Sequence, residues 1–204
     1  ADFAAGRTNI LIGTQMISKG LDFDKVSVVG ILDADSMMNY PDFRAYEHAF
    51  MMMSQVAGRA GRKGKRGLVI LQTRNKDLPL IDQVVRNDYH ALYTSLVAER
   101  QMFRYPPFHR LIYIYLKHKS DATVNSAATL MGGYLRQWFG GRVLGPDKPA
   151  VAKIKSLCIR KLMLKIENNL NPTEVRKYLL LARQQVLQDK QYSSLQIFYD
   201  VDPL

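Results

Sequence analysis

The chain has 204 residues, 47% of them hydrophobic and 23% charged, the make-up of one large or two small globular domains and not of a disordered chain. With 29 Lys and Arg against 18 Asp and Glu it carries a net charge of +11 at pH 7, which attracts polyanions, nucleic acid first. No apolar run approaches the ~20 residues of a membrane span, which argues against a membrane protein, and one cysteine, Cys158, permits neither an internal disulfide nor a cysteine-rich zinc site, which excludes a disulfide-stapled scaffold.

In chain order, residues 10–14 (Ile-Leu-Ile-Gly-Thr) are a short apolar run ending in turn chemistry, and predict a buried strand. Residues 26–33 and 67–73 predict two more; their near-continuous Val, Ile and Leu content fits strands covered on both faces of a parallel sheet. Helices are expected over residues 42–62 and 78–103, so this half reads as an α/β layer. Met51, Met52 and Met53 fall in the first helix and read as flexible packing. With few strands, the first starting near residue 10, this half reads as part of a longer chain; no signal peptide is expected before the fold.

The two prolines of Tyr105-Pro-Pro-Phe108 fit neither a helix interior nor a central strand and mark a change of domain. Residues 111–117 then alternate and are rich in Tyr and Ile, a strand. Over residues 123–139, Val124, Ala128, Met131, Leu135 and Trp138 recur on one helix face, although Gly132 and Gly133 inside it cost roughly 1 kcal/mol each against Ala. A weak strand begins at Val143, interrupted by Pro146 and Pro149. Residues 158–167 alternate, Leu162, Leu164 and Ile166 facing one way, Lys161, Lys165 and Glu167 the other. Asn171-Pro-Thr-Glu174 is a helix start, with Asn at the N-cap and Pro in the first turn, followed by the stripe Val175, Leu179, Ala182, Val186. A last strand covers residues 195–201. The order βαββαβ is the ferredoxin-like arrangement. The predicted division is therefore an α/β domain over residues 1–104 and an α+β domain over residues 105–204.

The positive charge is uneven. Residues 1–104 hold 14 Lys and Arg against 11 Asp and Glu, whereas residues 105–204 hold 15 against 7. Arg59, Arg62, Lys63, Lys65 and Arg66 form one stretch without an acid, and Lys153, Lys155, Arg160, Lys161 and Lys165 form another. Each reads either as a nucleic-acid contact or as a solvated basic face. Tyr113 and Tyr115 share a strand face and either stack bases or pack in the core. His48, His90, His109 and His118 are scattered, without metal-ligand spacing.

Gln55-Val-Ala-Gly-Arg59-Ala-Gly-Arg62 carries the chemistry. On a helix, positions 55, 59 and 62 project from one face and present an amide beside two guanidiniums. Paired guanidiniums match phosphate oxygens and stay charged at any working pH. In phosphoryl transfer such a group stabilises charge on the phosphate. Gly58 and Gly61 would leave the neighbouring surface bare for a ligand or another backbone. No G-x-x-x-x-G-K-[ST] phosphate cradle is present, and no Asp-Glu pair follows a strand to hold Mg²⁺. The chain by itself is expected not to hydrolyse ATP.

The pattern over residues 55–62 resembles motif VI of superfamily-two helicases, and Ile12-Gly-Thr14-Gln15-Met16-Ile-Ser-Lys19-Gly20-Leu-Asp22-Phe23 resembles their motif V. With Leu32-Asp-Ala-Asp35, Asp42-Phe-Arg44 and Asp200-Val-Asp-Pro203, the resemblance narrows to the family of the bacterial primosomal protein N′, PriA, over the C-terminal part of that family's chain. It implies part of a RecA-like second helicase lobe followed by a fork-DNA-binding domain. Gln55, Arg59 and Arg62 would line an ATP cleft, the arginines reaching the γ-phosphate, with Gly20 and Asp22 near the nucleotide. Thr14 and Gln15 would meet the DNA backbone or relay between DNA and ATP, unless they are an ordinary turn after a strand; Lys19 could contact phosphate. Asp33 and Asp35 are taken as structural or coupling residues. Lys153, Lys155, Arg160 and Lys161, with Arg110 and Arg142, would contact DNA.

For the whole protein the resemblance implies a cytoplasmic, ATP-dependent 3′→5′ DNA helicase that recognises stalled or branched forks and restarts replication by primosome assembly. Its partners would be forked and single-stranded DNA, single-stranded DNA-binding protein and other primosome proteins, with no membrane. Its cofactors would be ATP with Mg²⁺, completed by the other lobe, and zinc in a cysteine-rich module whose ligands this chain does not carry. Two other readings remain: a basic nucleic-acid-binding module without a motor role, and a lobe of an RNA helicase.

Overall fold

The structure is a computed structural model that describes residues 2–3, 5–14, 26–61 and 67–203. It divides into two compact units, Ala1–Ala98 and Glu99–Leu204, a division a few residues ahead of the prolines that mark it in the sequence.

In the first unit, strand β1 (Val28–Ile31) pairs in parallel with β2 (Leu68–Leu71), from Val28 opposite Leu68 to Ile31 opposite Leu71. Helices α1 (Ala34–Met38) and α2 (Ala45–Ala57) make the crossover, α3 (Pro79–Arg86) follows, and α4 (Tyr89–Met102) begins in this unit and ends in the second. Ile31, Ala34, Met38, Ala49, Phe50, Met53, Leu80, Val84 and Leu92 form one core. Of the methionine run, Met53 is fully buried and Met51 exposed, as expected for one helix turn packed on a core.

Three sequence expectations change here. Residues 10–14 form no strand, and Ile12 is 86% exposed; an apolar run becomes a strand only with another strand to bond to, and the described residues give it none. Among the described residues the parallel pair is covered on one face: Val28, Leu68 and Ile70 stand exposed opposite the face that α2 covers. The helix expected over residues 78–103 is two helices. Asn87 adopts the left-handed conformation (φ 52°) and closes α3 through bonds to the Gln83 and Val84 carbonyls. Asp88 Oδ1 then accepts from the Ala91 amide at 2.9 Å and starts α4.

The second unit contains β3 (His109–His118), α5 (Asp121–Phe139), β4 (Val143–Asp147), the short β5 (Lys153–Ile154), β6 (Leu157–Glu167), α6 (Pro172–Leu187) and β7 (Gln196–Val201). The sheet order is β4-β6-β3-β7, every pair antiparallel, with β5 beside β6. This is the expected βαββαβ connectivity, in which β3-α5-β4 and β6-α6-β7 are interleaved split crossovers. One face of the sheet, with Ile112, Ile114, Leu116, Leu162, Leu164, Ile166 and Ile197, packs on the stripes of α5 and α6. The caps are those the sequence carries: Asn171 accepts from the Thr173 amide at 2.9 Å, and Ser120 accepts from Thr123 at 3.2 Å. A Cβ on Gly132 would stand 3.3 Å from Leu162 Cδ2 and 2.9 Å from Arg136 Nη1, so the missing side chain lets α5 lie close on β6.

The Asp200-Val-Asp-Pro203 signature closes the sheet. Asp202 Oδ2 accepts from Arg110 Nη2 at 2.7 Å, Oδ1 accepts from the Leu111 amide at 3.2 Å, and the Asp202 amide donates to the Leu111 carbonyl at 2.8 Å.

Candidate nucleotide and nucleic-acid sites

Helix α2 ends at Ala57, with Gly58 as its C-cap. Gln55 therefore lies on the last helical turn, exposed, while Arg59 lies beyond the helix, half-buried. The Arg59 and Ala60 amides bond back to the Val56 and Ala57 carbonyls at 3.0 Å, which winds the chain into a tighter turn. Gly61, at φ 68°, then donates its amide to the Val26 carbonyl at 3.1 Å, just ahead of β1. The expectation that residues 55, 59 and 62 share one helix face is thus corrected for Gln55 and Arg59: Gly58 ends the helix before Arg59. Arg62 lies outside the described residues.

A third glycine fixes this turn. A Cβ on Gly67 would meet the Ala60 and Gly61 backbone, and the Ala60 Cβ at 2.7 Å. Ahead of β2 the chain thus lies against the turn that carries Arg59. The carbonyl end of α2 is the negative end of its dipole, so a phosphate here has to be drawn by side-chain cations.

Of the motif V candidates, Thr14 is exposed in irregular chain, and Gln15, Lys19, Gly20 and Asp22 lie outside the described residues. The other acidic signature residues are tied into the fold. Asp35 Oδ2 accepts from the Arg74 amide at 2.9 Å and Oδ1 from Thr73 Oγ1 at 3.0 Å, joining α1 to the chain after β2. The Arg74 amide bond is the main reason its carboxyl lies below the usual range. Asp42 accepts from the Arg44 amide at 2.8 Å and from Arg44 Nε at 3.2 Å. Burial raises its pKa, and the bonds and charge of Arg44 outweigh that and lower it. Among the described residues, no three His, Cys, Asp or Glu side chains gather to hold a metal ion.

In the second unit the expected basic patch separates by residue type. Lys153 on β5 and Lys155 in the turn after it are exposed. Lys161 is half-buried on the sheet face away from the helices, its Nζ 4.5 Å from the centre of the Tyr113 ring. Arg160 differs from the expectation. It is 4% exposed, bound to both Asp121 oxygens at 2.8 and 2.9 Å, to Asn125 Oδ1 at 3.1 Å and to the Ile159 carbonyl at 3.0 Å. It is on the helix side, because it shares strand parity with Leu162, Leu164 and Ile166. Its bonds to Asp121 are the first cause holding that carboxyl below its ordinary range. Arg110 is engaged by Asp202 and Arg142 by Glu167, at 2.7 and 2.9 Å. Lys153 and Lys155 face water, while these arginines are bound to acids.

Tyr113 and Tyr115 meet edge-on at 6.2 Å between ring centres on that same open face; Tyr113 is 9% exposed. Lys165, also on this face, is buried, which the alternation of β6 did not show. The signal lies outside the strand, in the aromatic Phe103 and Tyr105 ahead of β3 that cover it.

The family model of the helicase conserved C-terminal domain matches residues 1–64. The family model of the primosomal protein N C-terminal domain matches residues 101–204, half of the chain. The chain belongs to the PriA family. It is 33% identical over 203 residues to the replication restart protein PriA of Bacillus subtilis, covering 98% of this chain and 25% of that protein. It is 39% identical over 165 residues to PriA of Treponema pallidum, covering 80% of this chain and 25% of the relative. With PriA of Chlamydia pneumoniae the identity is 46% over 110 residues, 54% of this chain and 15% of the relative. The chain thus spans about a quarter of the length of the first two relatives. Its two matches place it in the C-terminal part of a helicase-type primosomal protein. No helix among the described residues is long and apolar enough to cross a membrane.

Proposed function

We propose that the chain is the C-terminal part of an ATP-dependent 3′→5′ DNA helicase that recognises stalled or branched forks and restarts replication by primosome assembly in the cytoplasm. The observation that carries this is the turn through Arg59 to Gly61, bonded through Gly61 to the chain ahead of β1 and lying against Gly67 ahead of β2, in a chain whose units match a helicase and a primosomal family. The donor set fits a nucleotide's phosphates: Gln55 offers an amide, and Arg59 with Arg62 offers guanidiniums that match phosphate oxygens. ATP bound there supplies the phosphoryl group to be transferred. Arg59 and Arg62 hold and neutralise charge at the γ-phosphate, with Gly20 and Asp22 beside the nucleotide. Mg²⁺ would accompany the ATP, its site completed by the other lobe of the motor. Thr14, Gln15 and Lys19 meet the DNA backbone. In the second unit Lys153, Lys155 and Lys161 take phosphates of forked or single-stranded DNA, contacts that position the protein without reading sequence. Single-stranded DNA-binding protein and other primosome proteins are the partners this role requires.

A second reading, a basic binding module without a motor role, draws support from the exposed Lys153 and Lys155. A titration of the chain with forked DNA, duplex DNA and duplex RNA of equal length tests the substrate. Tighter binding of the fork, with log K falling steeply with log salt, is the expected result. Equal or tighter binding of duplex RNA contradicts the DNA reading.

A further inference from the structure

Phe103, Arg104, His109, Arg142, Lys165 and Glu167 line a cleft of about 230 Å³, at the end of the sheet where β3 begins and β6 ends. It is smaller than the ~300–1,000 Å³ of a site for a drug-sized molecule and suits a small charged group. Lys165 is 9% exposed here. Its Nζ donates to the Phe103 carbonyl at 2.7 Å and lies 3.5 Å from the centre of the Tyr105 ring. Among the described residues no carboxylate pairs with it. The acid in the cleft, Glu167, is engaged by Arg142 Nε at 2.9 and 3.0 Å. Arg104 stands exposed on a left-handed backbone (φ 56°). Burial first, and then the charge of Arg104, holds Lys165 below the ordinary lysine range. His109 Nδ1 is buried with no hydrogen-bond partner.

A buried ammonium without a counter-ion is costly, and a carbonyl and a ring face offset that only in part. A second cation alongside raises the cost. Both are relieved by one ligand, an anion seated between them. A guanidinium beside an ammonium favours phosphate, whose several oxygens take the planar fork and the point charge together.

We propose that this cleft binds a phosphate group of a nucleic-acid strand, held by Lys165 and Arg104. The inference rests on the DNA reading above and adds a specific seat to it, apart from the exposed Lys153 and Lys155. The phosphate is either an internal phosphodiester or a terminal monoester. The test uses the whole chain with ¹⁵N-labelled lysine, titrated with a ten-nucleotide thymidine strand with and without a 5′-phosphate, with inorganic phosphate, and with acetate. The Lys165 Nζ resonance is expected to move with strand and phosphate and to stay in place with acetate. Arg104→Ala, an exposed position that leaves the fold intact, is expected to weaken strand binding about tenfold and to lower the salt slope by about one. Lys165→Met is expected to do the same. A larger response to the 5′-phosphorylated strand assigns the cleft to a strand end, and an equal response assigns it to the internal backbone. If the strand binds while Lys165 does not move, or if acetate moves it equally, the phosphate seat is overturned. If the wild-type chain binds no strand at all, the DNA reading itself fails.

Discussion

Arg59→Lys is expected to be nearly as poor a motor as Arg59→Ala. In a full-length PriA context, steady-state ATP hydrolysis at saturating forked DNA should fall about a hundredfold or more for both variants. A group that stabilises the transferring phosphate is typically worth ~10³–10⁵ in rate, and a hundredfold is about 2.7 kcal/mol of transition-state stabilisation. Lysine keeps the charge and loses the planar fork, so it cannot hold two phosphate oxygens at once. Arg59 also sits in a tight turn after α2, held by the Val56 and Ala57 carbonyls, where a longer, more flexible stem has no helix to aim it. DNA binding should be unchanged, because the exposed lysines of the second unit are elsewhere in the chain. Recovery of the rate by lysine to within about threefold would show that the site needs only a positive charge.

The second large effect is expected from a residue with no functional group. Gly67→Ala places a methyl against the Ala60 and Gly61 backbone, and 2.7 Å from the Ala60 Cβ. Main chain cannot swing aside like the end of a long side chain, so the turn has to shift. Gly61 is bonded to Val26 on its other side, so the shift is passed to Arg59. Overpacking of this kind costs ~1–3 kcal/mol of stability. A 1 Å misplacement of a positioned group can cost ~10² in rate. Hydrolysis is expected to fall about ten- to a hundredfold, with a lower thermal midpoint for the first unit and an unchanged one for the second. A wild-type rate in Gly67→Ala would show that Arg59 does not depend on this contact.

The second unit was legible in the sequence because its signals are local. Strand alternation in β3 and β6, the stripes of α5 and α6, and the Asn171 cap each specify their element without reference to the rest of the chain. The first unit was less so. The apolar run at residues 10–14 looks like a strand, but pairing depends on a neighbour. The break at Asn87-Asp88 was readable as an Asn cap followed by an Asp start, although the apolar pattern runs through it. In the motif, spacing placed residues 55, 59 and 62 on one helix face, whereas Gly58 ends the helix. Arg160 was decided by parity: it shares the strand face of the buried leucines, and its charge drew it into the DNA-binding set only because burial of an arginine needs Asp121, distant in sequence. Lys165 was hidden for the opposite reason. Its strand points it away from the helices, and a segment ahead of β3 then covers it.

The central claim is that the residue 55–62 stretch serves the phosphates of ATP and not those of DNA. The most direct measurement is ATP hydrolysis and forked-DNA affinity in the same buffer for wild type and Arg62→Ala, again in full-length context. The account predicts DNA affinity within about twofold of wild type and hydrolysis lower by about a hundredfold or more. Unchanged hydrolysis with weaker DNA binding, and a salt slope reduced by about one, would make the arginine pair a clamp on DNA and contradict the motor reading.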